Sequence, residues 1–343
     1  MHTMSRLAAG VVLWSITLGA ANAGPPLVPA DGYGFGQGGA MVTASPADTN
    51  RELDAVAKTS GSWLRVPIEW NAIEKQRGQF DWGYLDNVID NAVARHLTVL
   101  GLIGYTPRWA RPQGTDGLTW TAPPANPADF AAFCTAVVQR YGDRVANWEI
   151  WNEPNLNLFF GFVDNKAPRY TAVLQAAYGA IKAAQPHGTV LAAGLSRLEG
   201  ADSPPGFLQQ MYDAGAGGYF DAAAAHPYVF PGGLAADPTN GWSDVGRMHD
   251  VMVAHGDGGK KIWLTEVGAP TCDCPRNSLD QKGQAQQILE VLAAAAQVPY
   301  IGPAFIYSIR DLDTTSRRSR ENNVGALLTS DWQPKYTASV LQR

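Results

Sequence analysis

Eight short apolar runs recur along this chain, each broken by glycine, proline or a charged residue and each followed by a segment of helical character. The runs lie at 33–36, 62–67, 98–104, 148–153, 189–194, 220–225, 261–267 and 303–309. The helical segments lie at 47–58, 82–95, 127–141, 168–184, 204–214, 242–255 and 280–296, with a last short one after Pro334. Predominantly apolar runs suit strands covered on both faces, and a helix after each strand returns the chain to begin the next one in parallel. Eight such units in one series fit a single (β/α)8 TIM barrel of the α/β class better than an open sheet. No short-period repeat, low-complexity segment or linker asks for a further domain.

The ends and the composition narrow the classes of function. His2 and Arg6 precede an apolar stretch from Leu7 to Leu18, and Ala21-Asn22-Ala23 follows with the small-x-small pattern of a signal-peptidase site. Residues 1–23 therefore read as a signal peptide and 24–343 as the barrel domain, exported to the periplasm, envelope or medium with no stable membrane anchor after cleavage. A net charge of −5 with 17% charged residues gives no footprint for nucleic acid or acidic membranes. Tyr33-Gly34-Phe35-Gly36 has neither the dinucleotide fingerprint nor a phosphate-loop lysine. Cys134 sits in an apolar helical run and reads as a small buried residue. Cys272 and Cys274 flank one aspartate, and in an oxidising compartment they could close a small ring that stiffens a loop. A metal reading of that pair would need a second pair or a histidine cluster, so neither a metal nor a cofactor is expected.

Two of the runs end on a carboxylate. Trp148-Glu149-Ile150-Trp151-Asn152-Glu153-Pro154 stops at a proline that cannot continue a sheet ladder, which places Glu153 at the strand's C-terminal edge. Side chains alternate along a regular strand, so Asn152 and Glu153 can face one cleft only if the strand distorts there. Lys261-Ile262-Trp263-Leu264-Thr265-Glu266-Val267-Gly268 ends in the same way. The 113 residues between Glu153 and Glu266 correspond to three βα units, which assigns them to strands four and seven. Two carboxylates at the ends of two strands are what glycoside hydrolysis requires.

With these motifs in view, the chain resembles the clan A glycoside hydrolases, the retaining (β/α)8 glycosidases. Their pattern is an Asn-Glu pair ending strand four and a Glu ending strand seven, as in Asn152-Glu153-Pro154 and Thr265-Glu266. Within the clan it is more similar to family 39 and its bacterial exopolysaccharide-hydrolase relatives than to family 5. The stretches that carry this are Trp148 to Pro154, His226-Pro227-Tyr228, Tyr307 to Asp311 and Asn323 to Leu327. The resemblance implies that Glu153 is the acid/base and Glu266 the nucleophile of a double displacement on a polysaccharide, oligosaccharide or glycoconjugate; aromatic residues in the long loops favour an extended groove and with it internal cleavage. Transglycosylation of envelope glycans and a catalytically silent glycan-binding barrel are the alternative readings.

Under that division Arg65, ending strand two, is suited to hold Glu266 ionised, and Tyr228 or His226 could donate to the same group. Asn152 would hold the sugar 2-hydroxyl. Glu149, inside its strand, reads as buried polar packing, whereas Glu69 stands where a substrate could touch it. The aromatic candidates for a sugar platform are Trp70, Trp109, Trp120, Phe159, Phe160, Trp242 and Tyr307, the last standing where many clan members carry a tryptophan. Arg317-Arg318-Ser319-Arg320-Glu321 is locally basic, which suits a solvated loop or a contact for an acidic polymer.

Overall fold

The computed structural model describes residues 27–38, 44–114, 121–272, 279–317 and 319–342. The signal-peptide reading, Trp120 and Cys274 lie outside these residues. Eight parallel strands close on themselves in chain order: β1 (Tyr33–Gly36), β2 (Trp63–Glu69), β3 (Thr98–Gly104), β4 (Asn147–Asn152), β5 (Thr189–Ser196), β6 (Ala222–His226), β7 (Ile262–Val267) and β8 (Ile301–Tyr307). The barrel expected from the alternation is present, and the strand bounds differ from the apolar runs by a few residues at their ends.

The main outer helices are Pro46–Ala57, Gly83–Ala94, Pro127–Tyr141, Lys166–Ala184, Pro204–Asp213, Ser243–Ala254 and Gln281–Ala295, closed by the short Tyr336–Val340. Local chemistry sets where several begin. Ser45, Asn126, Ser203 and Asp280 each accept a backbone N–H from the first turn. Pro46, Pro127 and Pro204 stand at first helical positions, where a missing N–H costs nothing.

The barrel interior is divided along its axis. Its lower half is an apolar plug of Leu100, Leu191, Ala222, Ala224, Trp263 and Phe305, with Trp63 packed on it. The Trp63 and Trp263 rings meet edge to face at 5.2 Å. Because inward side chains recur every second residue, the next inward positions above Trp63, Trp263 and Phe305 are Arg65, Thr265 and Tyr307. The plug thus forms a dry floor for a polar layer at the C-terminal mouth, where barrels of this kind carry their chemistry.

Among the described residues no helix is long and apolar enough to cross a membrane. Cys272 is disulfide-bonded and Cys134 is free and buried.

Candidate active site

Strand irregularity builds the mouth. Trp151 and Glu153 have left-handed φ values of 71° and 43°, so β4 leaves its alternation where Asn152 and Glu153 would otherwise face opposite ways. The Glu153 N–H still reaches the Gly194 carbonyl at 3.1 Å. On β7 the register shifts between Leu264 and Val267, and both Thr265 and Glu266 face the same cluster. Bulges re-aim side chains in this way at sheet ends.

Arg65 is the hub of the cluster. Its Nε donates to Glu149 Oε2 at 2.6 Å, one terminal nitrogen to Glu266 Oε1 at 2.8 Å, and the other to Asn152 Oδ1 at 2.9 Å. Burial opposes its charge, but Glu149 and Glu266 outweigh that, so the guanidinium stays protonated. Glu149 is fully buried and fully paired, since Gly194 N–H and the Thr265 hydroxyl reach its other oxygen at 3.0 and 2.9 Å.

Glu266 receives the Tyr228 hydroxyl on Oε2 at 2.6 Å in addition to Arg65 on Oε1. Burial would raise its pKa, but the charges of His226 and Arg65 and the Tyr228 bond prevail, holding it below the ordinary carboxylate range. Burial pushes the Tyr228 phenol well up, with the Glu266 charge adding to it, so it remains a donor. Glu153 has a different partner: His226 Nδ1 lies 2.7 Å from its Oε1, and His226 Nε2 lies 3.1 Å from the Thr265 hydroxyl. Burial disfavours the imidazolium, yet Glu266 and Glu153 together raise the histidine's pKa above its usual value. One carboxylate is therefore fixed as an anion by an arginine and a phenol. The other sits against a proton carrier.

Glu153, Glu266 and His226 each place an oxygen or ring nitrogen within 4.8 Å of the others. Three such groups are a possible cation site by composition. Here both histidine nitrogens and both Glu266 oxygens already have protein partners, and Arg65 brings a positive charge to Glu266, which disfavours a cation between them.

No family model matches this sequence, and no curated protein matches it. Solved structures do match. A family 39 glycoside hydrolase from Bacteroides cellulosilyticus WH2 superposes with a TM-score of 0.69 at 20% identity, over 92% of this chain and 64% of that one. The chain thus spans just under two thirds of that protein's length. A monomeric β-xylosidase from Caulobacter crescentus CB15 gives 0.68 at 19%, over 92% and 69%. A family 5 protein from Streptomyces cattleya, solved with GlcNAc, gives 0.70 at 16%, over 92% and 79%. These likenesses show a shared barrel fold over nearly the whole chain.

The structure brings Arg65, Asn152, Glu153, His226, Tyr228 and Glu266 into one cluster. Tyr307, at the end of β8, donates to Glu321 at 2.5 Å. Trp70 is a correction: expected on the rim, it is fully buried, donates to Glu74 Oε2 at 2.5 Å, and packs on Phe130 and Phe133. Trp109 likewise turns inward. It donates to the Glu74 carbonyl at 2.8 Å, meets Trp70 edge to face and lies 4.2 Å beneath the Arg77 guanidinium. Phe160 is buried, and Phe159 and Trp242 are partly buried against the core.

Gly194 and Thr265, to which the motifs assign no separate role, also join this cluster. Gly194 and Thr265 act by fit: a Cβ on Gly194 would lie 2.1 Å from His226 Nε2 and 2.6 Å from the Thr265 hydroxyl. The available signal was a glycine and a threonine each beside a strand-end motif. The exposed apolar side chains Leu158 and Phe162 follow β4, and Leu198 follows β5.

Proposed function

We propose that this chain is a retaining O-glycoside hydrolase. Glu266 attacks the anomeric carbon while Glu153 protonates the leaving oxygen, and water then releases the glycosyl-Glu266 ester with Glu153 as base. The observation that carries this reading is that Glu153 and Glu266 stand together at the barrel mouth with unlike partners, His226 on Glu153 and Arg65 with Tyr228 on Glu266. In a retaining enzyme the glycosyl ester forms and is hydrolysed on one face, so the first product keeps the anomeric configuration of the substrate.

The partners support the division of roles. Arg65 and Tyr228 keep Glu266 anionic and aimed, and His226 can exchange a proton with Glu153 between the two steps. Asn152, anchored by Arg65 next to Glu153, suits the sugar 2-hydroxyl. Leu158, Phe162 and Leu198, exposed on the segments after β4 and β5 and so at the same end of the barrel as the catalytic pair, offer apolar contacts to a substrate longer than one sugar. We assign internal cleavage of a polysaccharide on that basis, acting outside the cytoplasm as the N-terminal sequence suggests.

Reducing-end release from plant, envelope and exopolysaccharide panels tests this with the mature protein, Glu266→Gln and Glu153→Gln. The expected result is a product from the intact protein and none from Glu266→Gln. Equal cleavage by all three would overturn the assignment; binding without turnover would favour a silent glycan-binding barrel, and oligosaccharides longer than the substrate would favour transglycosylation.

A further inference from the structure

Two arginines beside the catalytic pair have no carboxylate partner among the described residues. Arg197, half-buried after β5, uses one terminal nitrogen for three neutral acceptors: the Tyr228 carbonyl at 2.7 Å, the Thr239 hydroxyl at 3.0 Å and the Phe230 carbonyl at 3.5 Å. Its Nε and other terminal nitrogen make no hydrogen bond among these residues. Arg320, exposed on the loop after β8, makes no ion pair there either; its guanidinium carbon lies 5.4 Å from the Phe230 ring centroid. That of Arg197 lies 4.8 Å from the same centroid. The adjacent Glu321, which could have neutralised Arg320, is turned onto Tyr307.

The cost of this arrangement is visible on Arg197. Loss of hydration and repulsion from Arg320 lower its pKa, and the charges of Tyr228, Asp237 and Glu153 offset them only in part. Two like charges gathered on one aromatic ring are destabilising unless something answers them. The position is next to the acid/base, on loops from three different strands, so what answers them there can be part of the substrate.

We propose that Arg197 and Arg320, held on Phe230, form a subsite for an anionic substituent on the glycan: a carboxylate of a uronic acid or a sulfate ester. The planar guanidinium fork matches either anion through paired N–H donors. This inference rests on the glycosidase reading of the same cleft and narrows its substrate to acidic polymers.

The test separates the two. Binding of Glu266→Gln to alginate and glucuronoxylan is compared with binding to their carboxyl-reduced forms, and binding to carrageenan with its desulfated form, by affinity electrophoresis at low and high salt. The expected result is at least tenfold preference for one anionic polymer over its neutralised form, falling with salt and lost when Arg197→Gln or Arg320→Gln is added. The Arg320 change, at an exposed position, guards against misfolding, and Arg197→Lys should restore part of the preference. No preference in any pair, or a preference that survives both substitutions, would overturn the subsite. Hydrolysis of a neutral polymer without anionic preference would leave the glycosidase and remove this inference; anionic preference without hydrolysis by the intact protein would do the reverse.

Discussion

At the residue scale, the site is a contrast between two glutamates with different neighbours. In the proposed mechanism Glu266 attacks as an anion, and His226, Arg65 and Tyr228 lower its pKa against the effect of burial. The acid limb of kcat/KM should therefore have its midpoint below 4.5, the ordinary glutamate value. Tyr228→Phe removes one donor to a charged group, worth about 1.5–3 kcal/mol, so kcat/KM should fall about ten- to hundredfold and the acid limb should move up. A limb that stays in place while activity falls would mean that Tyr228 acts on the substrate instead. The placement of Glu153 and Glu266 at the barrel mouth was legible because proline and glycine mark where strands 4 and 7 end, and because alternation demanded a distortion at Asn152-Glu153. Trp70 was misplaced for a physical reason. An indole just past a strand end has the same sequence signature whether the chain turns it over the cleft or under a helix, and only packing against Phe130 and Phe133 decides it.

At the element scale, the strands act as rulers and the glycines as clearances. Gly194 on β5 lets His226 and Thr265 lie against the β5 backbone, a contact that no motif announces. Gly194→Ala should lower kcat/KM at least about a hundredfold by displacing His226 from Glu153, because misplacement of about 1 Å is enough for that. Wild-type kinetics from this variant would show that the position of His226 is not needed. The loop after β8 has its own anchor. Lys335, fully buried, reaches Asp311 at 3.1 Å, Thr271 at 2.9 Å and the Gly325 carbonyl. Lys335→Met leaves Asp311 buried without its cation and should cost about 3–5 kcal/mol in urea unfolding, most of it recovered in Asp311→Leu/Lys335→Met. A loss below about 1 kcal/mol would show that the pair is not structural. The alternation of runs made the barrel legible, whereas these anchors join residues far apart in sequence and leave no local pattern.

For the whole molecule, chemistry and stability share the same charges. The raised pKa of His226 means that its charged form stabilises the fold fully below about 6.5, with that contribution lost as pH rises through the folded value. The lowered pKa of Glu266 works in the other direction: its contribution is present above about 4.5 and is lost as pH falls through the folded value. The stability difference between the intact protein and His226→Asn, followed by urea unfolding, should narrow as pH rises above 6.5; a constant difference would contradict the raised pKa. The barrel itself is shared by many chemistries, and the account given for this one rests on two carboxylates with unlike neighbours acting in a double displacement at its mouth. The anomeric configuration of the first product, read by proton NMR within the first minutes of hydrolysis, tests that most directly. Retention, together with a covalent fluoro-sugar adduct on the peptide containing Glu266, is the result predicted; inversion of the anomeric centre would contradict the double displacement and the roles given to both glutamates.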